Sequence, residues 1–297
     1  MAKPISHGLL RETFRVLADA FGHFSTDDGW AMASHVALST LLALFPFLIF
    51  IAALAGFLGF GEAATEVSKL IFDAWPDAVA APVAREINKV LTVPRGDLLT
   101  FGVIAALWFA SNGVSAVRVA LNRAYRIVET RNFLLLRLQA LVVVVLGSVA
   151  LIAFTVLIVL APLVIAATLR FAPALAPWFD GLHIARYVVA GLLSVVGLLV
   201  VHLVLPAGRR RLVDILPGVL LTLVLWIGSG AVFGYYLASY ANYVSTYAGL
   251  AGVMTALVFL YIVALALLAG GELNASLLRA RRIRQRRRVE QQTVSDE

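Results

Sequence analysis

Apolar residues gather into six long runs separated by polar stretches: 31–60, 98–120, 138–169, 187–205, 215–238 and 250–271. A helix needs about 20 mostly apolar residues to cross a bilayer. Each run reaches that length, although polar residues interrupt the second near its end. A soluble helix would instead carry a polar face along its whole length. The pattern predicts an all-α, polytopic membrane protein: six transmembrane helices plus amphipathic surface helices.

The surface helices follow from spacing. Leu10, Phe14, Leu17, Phe21 and Phe24 recur at helical intervals, with Arg11, Glu12, Arg15 and Asp19 between them. Residues 1–29 therefore read as an N-terminal cytoplasmic segment built on an amphipathic helix. Thr26, Asp27 and Asp28 offer N-cap chemistry for the first span. The transmembrane domain covers 30–278. Its first loop, 61–97, shows helical spacing in Glu62–Trp75 and Ala78–Leu91, broken around Pro76. The third run is too long for a straight span, so it tilts or bends at Pro162. Pro173 and Pro177 predict an irregular loop after it. Gly230 and Gly234, with Gly228 nearby, form a GxxxG face read as internal helix packing. Residues 279–297 form a basic cytoplasmic tail, a short helix and then disorder.

Charge sets the orientation. Lys3, Arg11 and Arg15 precede the first span; Arg118, Arg123, Arg126, Arg131 and Arg137 lie between the second and third; Arg209, Arg210 and Arg211 lie between the fourth and fifth. The tail carries Arg279 to Arg288. The alternate loops hold Arg170 and Arg186, or no basic residue, or, in 61–97, basic residues outnumbered by acids. The positive-inside rule places both termini in the cytoplasm. The net charge of +7 in a chain that is 61% hydrophobic and 14% charged therefore reads as topological. No nucleic-acid partner is expected, because no aromatic residues interleave the basic tail. The tail suits anionic lipid headgroups, at ~1 kcal/mol per basic residue near the surface. The lipid bilayer is the expected partner, and a homo-oligomer stays open.

The absence of cysteine excludes disulfides and thiolate chemistry. His7, His23, His35, His183 and His202 are scattered, with no metal-ligand spacing, and no phosphate-binding GxxxxGK[ST] stretch occurs. No cofactor, metal site or catalytic set is expected, and a nuclease reading is rejected. Polar residues inside spans are costly and mark interiors or cavities. His35, Ser39, Asn112, Ser115, Arg118 and Glu272 are the candidate lining of a polar cavity open to the cytoplasm. Asp28, His202 and Asp214 are the candidate helix-locking groups, and Pro46 is a hinge in the first span. Arg118 is expected to pair with Glu272 or Asp28.

The stretches AMASHVALSTLLALFPFLIF, WFASNGVSAVRVALNRAY, DILPG and GGELNA, in this order, resemble the YihY/BrkB family of bacterial inner-membrane proteins, once labelled ribonuclease BN. The resemblance covers most of the membrane region. It implies six spans, the bacterial inner membrane and an envelope role. The function expected is a transporter or translocator of an envelope lipid or an amphipathic or anionic solute, with Arg118 attracting a phosphate. The alternative is a non-catalytic structural or assembly factor.

Overall fold

The computed structural model describes residues 6–57, 96–160, 165, 168–169, 176–239 and 248–295. Among these residues there is no strand. The helices are α1 (Ser6–Thr26), α2 (Gly29–Phe57), α3 (Gly96–Ala124), α4 (Phe133–Thr155), α5 (Ala176–Val204), α6 (Leu212–Ser239) and α7 (Ala248–Ser295). Helices α2 to α7 are each long and apolar enough to cross a membrane. A helix satisfies its own backbone donors and acceptors, which lipid cannot do.

The bundle has the inverted surface that a bilayer requires. Leu42, Leu146, Ile184, Leu192, Val224 and Ile227 are exposed, whereas Ala33, Ala37, Ala116, Ala120, Ala264 and Ala275 are buried. Small residues let helices approach closely where no hydrophobic effect drives them together. Helix α2 packs on α3 and α7, and α7 packs on α6. A core of Phe24, Val36, Leu121, Tyr125, Leu198, Val219 and Leu268 joins α1, α2, α3, α5, α6 and α7.

Several elements differ from the expectations. Helix α5 begins at Ala176, well before Tyr187, and takes Pro177 into its first turn. A missing N–H costs little there. Helix α4 passes into a π turn at Val156–Leu160, just ahead of Pro162. Pro162, Pro173 and the loop 61–95 lie outside the described residues. Helix α2 runs through Pro46 without interruption. The tail is not disordered over most of its length: α7 continues to Ser295. Its Arg, Gln, Glu and Ala residues are good helix formers, and two ion pairs hold the helix to its neighbours, Asp19–Arg279 at 3.0 Å and Asp214–Arg281 at 2.5 Å.

The GxxxG reading also fails. A Cβ added at Gly228, Gly230 or Gly234 would meet nothing among the described residues. The close approach lies at Gly218 and Gly270 instead, where a Cβ on either would overlap the other's backbone.

Candidate functional site

The polar end of the bundle is organised by the end of α3. The Arg126 N–H donates to the Arg123 carbonyl and the Ile127 N–H to the Asn122 carbonyl, each at 2.9 Å. This is a Schellman-type helix end, with Arg126 in the left-handed position usually held by glycine, at φ 54°. A non-glycine residue there costs ~1 kcal/mol. The turn points the Arg126 guanidinium at the loop between α1 and α2. Arg126 pairs with Asp27, and with Glu272 of α7 at 3.3 Å. Arg123 pairs with Asp28 at 2.5 Å and donates to the Asp27 carbonyl at 2.8 Å. The expected N-cap is therefore not formed: both aspartate side chains go to arginines of the α3 end.

The stretch between α3 and α4 latches α5. Arg131 donates to both Glu129 carboxylate oxygens at 2.8 Å and to the Leu205 carbonyl at 2.7 Å. Asn122 donates to Glu129 at 3.0 Å and accepts from the Ala207 N–H at 2.7 Å. The hydrogen bond from Arg131 holds the Glu129 carboxyl down at about 2, against 4.5 normally. Deeper in the bundle, Arg137 stacks on the Trp108 ring at 3.6 Å and donates to Asn112 and the Trp108 carbonyl, both at 2.9 Å.

A buried polar cluster ties α3, α5, α6 and α7. Tyr125 Oη lies 2.9 Å from His202 Nδ1 and accepts from Asn274 Nδ2 at 3.1 Å. Asn274 also donates to the Ile215 carbonyl at 3.0 Å and accepts from the Gly218 N–H at 2.7 Å. Burial pushes the Tyr125 phenol up to about 12, so it stays a donor at physiological pH. His202 and Asn274 are fully buried.

Beside this cluster runs a groove of about 610 Å³, bounded by α1, Trp30, α6 and α7. That volume is typical of small-molecule sites, roughly 300–1,000 Å³. Its walls are apolar: Leu17, Phe24, Leu221, Leu225, Ile262 and Leu265 contribute, and Glu272 supplies its one charged side chain. Exposed Leu17, Phe21, Trp30 and Val224 form a rim that opens to the side of the bundle. A second crevice of about 430 Å³ lies among α2, α3, α4 and α5, and its lining carries no charge.

The family profile described as virulence factor BrkB matches residues 20–295. The chain belongs to the BrkB family. It is 29% identical over 275 residues to a ribonuclease-like protein, YfkH, of Bacillus subtilis (strain 168), covering 90% of this chain and 96% of the relative. It is 26% identical over 276 residues to a UPF0761 membrane protein of Rhodospirillum centenum, covering 91% of this chain and 59% of that one. A UPF0761 membrane protein of Legionella pneumophila is 24% identical over 263 residues, again with 59% of the relative covered. The chain thus spans about three-fifths of those two longer relatives. No solved structure matches it.

In this BrkB-family chain the six residues proposed to line one cavity do not converge. His35 is exposed on α2, and Ser39 is half-buried beside it. Asn112 is exposed and accepts from Arg137. Ser115 donates back to the Ser111 carbonyl at 3.0 Å. Arg118 donates to the Leu136 carbonyl at 3.4 Å and sits 4.0 Å from Glu129, not against Glu272 or Asp28. Only Glu272 of the six reaches the groove. The expected pairing failed because the stretch after α3 folds back and supplies a nearer acid. Asp28, His202 and Asp214 each contact a residue of another element, Arg123, Tyr125 and Arg281 respectively. Arg126, Arg131, Arg137, Tyr125 and Asn274 were missed as organising residues. The left-handed turn at Arg126 has no glycine to announce it, and helical spacing does not show which elements Tyr125 and Asn274 join. Among the described residues no three His, Asp or Glu side chains gather to hold a metal.

Proposed function

We propose that this BrkB-family protein takes an amphipathic lipid from the bilayer into the groove between α1, α6 and α7, as part of moving it across or out of one leaflet. The groove carries the reading: it opens sideways, is apolar along its length, and ends on one buried charge. Its length supports a lipid tail. From Ile262 to Leu273 the α7 wall rises ~16 Å at ~1.5 Å per residue. Half of a ~30 Å hydrocarbon core is about the same. Phosphate capture by Arg118 is not part of the reading, because Arg118 faces Glu129 and Leu136.

The polar end is read as cytoplasmic, in the bacterial inner membrane, since arginines crowd the loops there. Reporter fusions at residues 130 and 210 should report the cytoplasm, and fusions at 80, 180 and 244 the opposite side. The protein is read as non-enzymatic. The exposure of Arg282 and Arg286 on α7 supports a contact with anionic headgroups. The test is a reconstitution: vesicles with a fluorescent lipid, followed by an impermeant quencher. The full chain should speed quenching of the inner-leaflet pool. Gly228→Leu, whose Cβ would meet no described neighbour while the rest of the side chain enters the groove, should slow it. A rate equal to that of protein-free vesicles overturns the reading.

A second reading, an assembly factor, is favoured by α7. Between Glu272 and Ser295 the helix extends ~35 Å past the groove at ~1.5 Å per residue, enough to reach a partner. Deleting residues 283–297 would abolish envelope function while leaving vesicle transport intact if that arm is the working part.

A further inference from the structure

We propose that the groove selects a lipid whose headgroup carries a protonated amine. The inference rests on the groove reading and names the chemistry of its polar end. Glu272 is 3% exposed and supplies the one charge among the residues that line the groove. Among the described residues no guanidinium lines it. Among the described residues the carboxylate forms one salt bridge, with Arg126 at 3.3 Å, and Arg126 also serves Asp27. The neighbouring Arg279 is engaged by Asp19, which also holds His23 at 3.2 Å. Three carboxylates, Asp19, Asp27 and Glu272, thus share two arginines at this end.

A buried carboxylate with incomplete pairing favours a cation and repels an anion, because lipid and protein screen poorly. A bare phosphate or carboxylate headgroup entering the groove would meet Glu272 with no cation lining the wall to receive it. A primary ammonium would donate hydrogen bonds to the Glu272 oxygens. The aromatic residues point the same way. Phe24 and Trp30 both line the groove, with ring centroids 5.1 Å apart and planes at 87°. The face of an aromatic ring attracts a cation, and these rings share the groove with Glu272. The headgroup would sit among Glu272, Phe24 and Trp30, with its tail along Leu225, Ile262 and Leu265.

The test compares two photoactivatable probes of equal chain length, a long-chain alkylamine and a long-chain alkyl sulfate, each with a diazirine in the tail. Both are added to vesicles holding the full-length protein, and crosslinks are mapped by mass spectrometry. The amine should label Leu225, Ile262 and Leu265 about tenfold more than the sulfate, the scale expected for hydrogen bonds to a charged group. Glu272→Gln should bring the two probes near parity. Should that variant melt, Trp30→Leu serves instead: losing the ring face should narrow the amine preference. Gly228→Leu should remove groove labelling by both probes. Equal labelling by the two probes, or a preference for the sulfate, overturns the amine assignment and leaves a lipid groove standing. No groove labelling by either probe overturns the groove reading and the assignment together.

Discussion

Helices α6 and α7 meet along one seam, and its two ends are built differently. At the polar end Gly218 lies against Gly270 with backbones in contact. Further along, Thr222 donates to the Ala266 carbonyl at 3.3 Å, and Trp226 to the Val263 carbonyl at 3.0 Å. Further still, Phe233 packs on Phe259 with ring centroids 5.4 Å apart. Side chains grow along the seam, so the helices diverge from a closed end to a wide one. On the flank of this wedge lies the groove, with Gly228 in its wall. The same residue type therefore has opposite consequences. Glycine at 218 and 270 closes the bundle around Asn274, whereas glycine at 228 leaves space that no described residue fills. The GxxxG spacing sits at the wide end, and a glycine spacing alone does not say whether a helix is near.

The comparison breaks most visibly at Gly218. A valine there would drive its side chain into the Gly270 carbonyl and Asn274. Gly218→Val should cost about 3 kcal/mol, the upper range for overpacking, seen as a large fall in the melting temperature in detergent. A wild-type melting point would show that the seam is not closed there. Asn274→Leu comes next. It removes hydrogen bonds to Tyr125, the Ile215 carbonyl and the Gly218 N–H, and should cost about 2 kcal/mol.

The latch beside the closed end gives a pH signature. Glu129 is held at about 2, chiefly by the hydrogen bond from Arg131, against 4.5 normally. A depressed carboxylate adds stability that is complete above about 4.5 and lost as pH falls through about 2. The wild-type melting temperature should therefore fall across that window. In Glu129→Gln the part of the slope due to this group should vanish. Parallel curves would place the acid sensitivity elsewhere. The smallest stability effect belongs to the open end. Gly228→Leu should stay within about 0.5 kcal/mol of wild type while suppressing lipid movement. A fall like that of Gly218→Val would mean the open end is packed after all.

The sequence by itself determined the class and most of the architecture. Six apolar runs of about bilayer length have few stable forms other than spanning helices, because lipid offers backbone groups no partners. The amphipathic α1 was legible for a similar reason: apolar residues recur every three or four positions over about four turns. Local chemistry misled where it met a choice of partners. Arg118 had several acids at the right depth, and only the fold-back after α3 brings Glu129 closest. Asp27 and Asp28 looked like caps, yet the turn at Arg126 presents guanidinium groups to them. The groove left the faintest trace, since its walls are ordinary leucines, isoleucines and valines. Which faces of α1, α6 and α7 stay apart is a property of how three helices pack. Hydrophobicity is a local sum that the sequence displays residue by residue. Pairing and empty space depend on relative placement, and tertiary structure alone decides that.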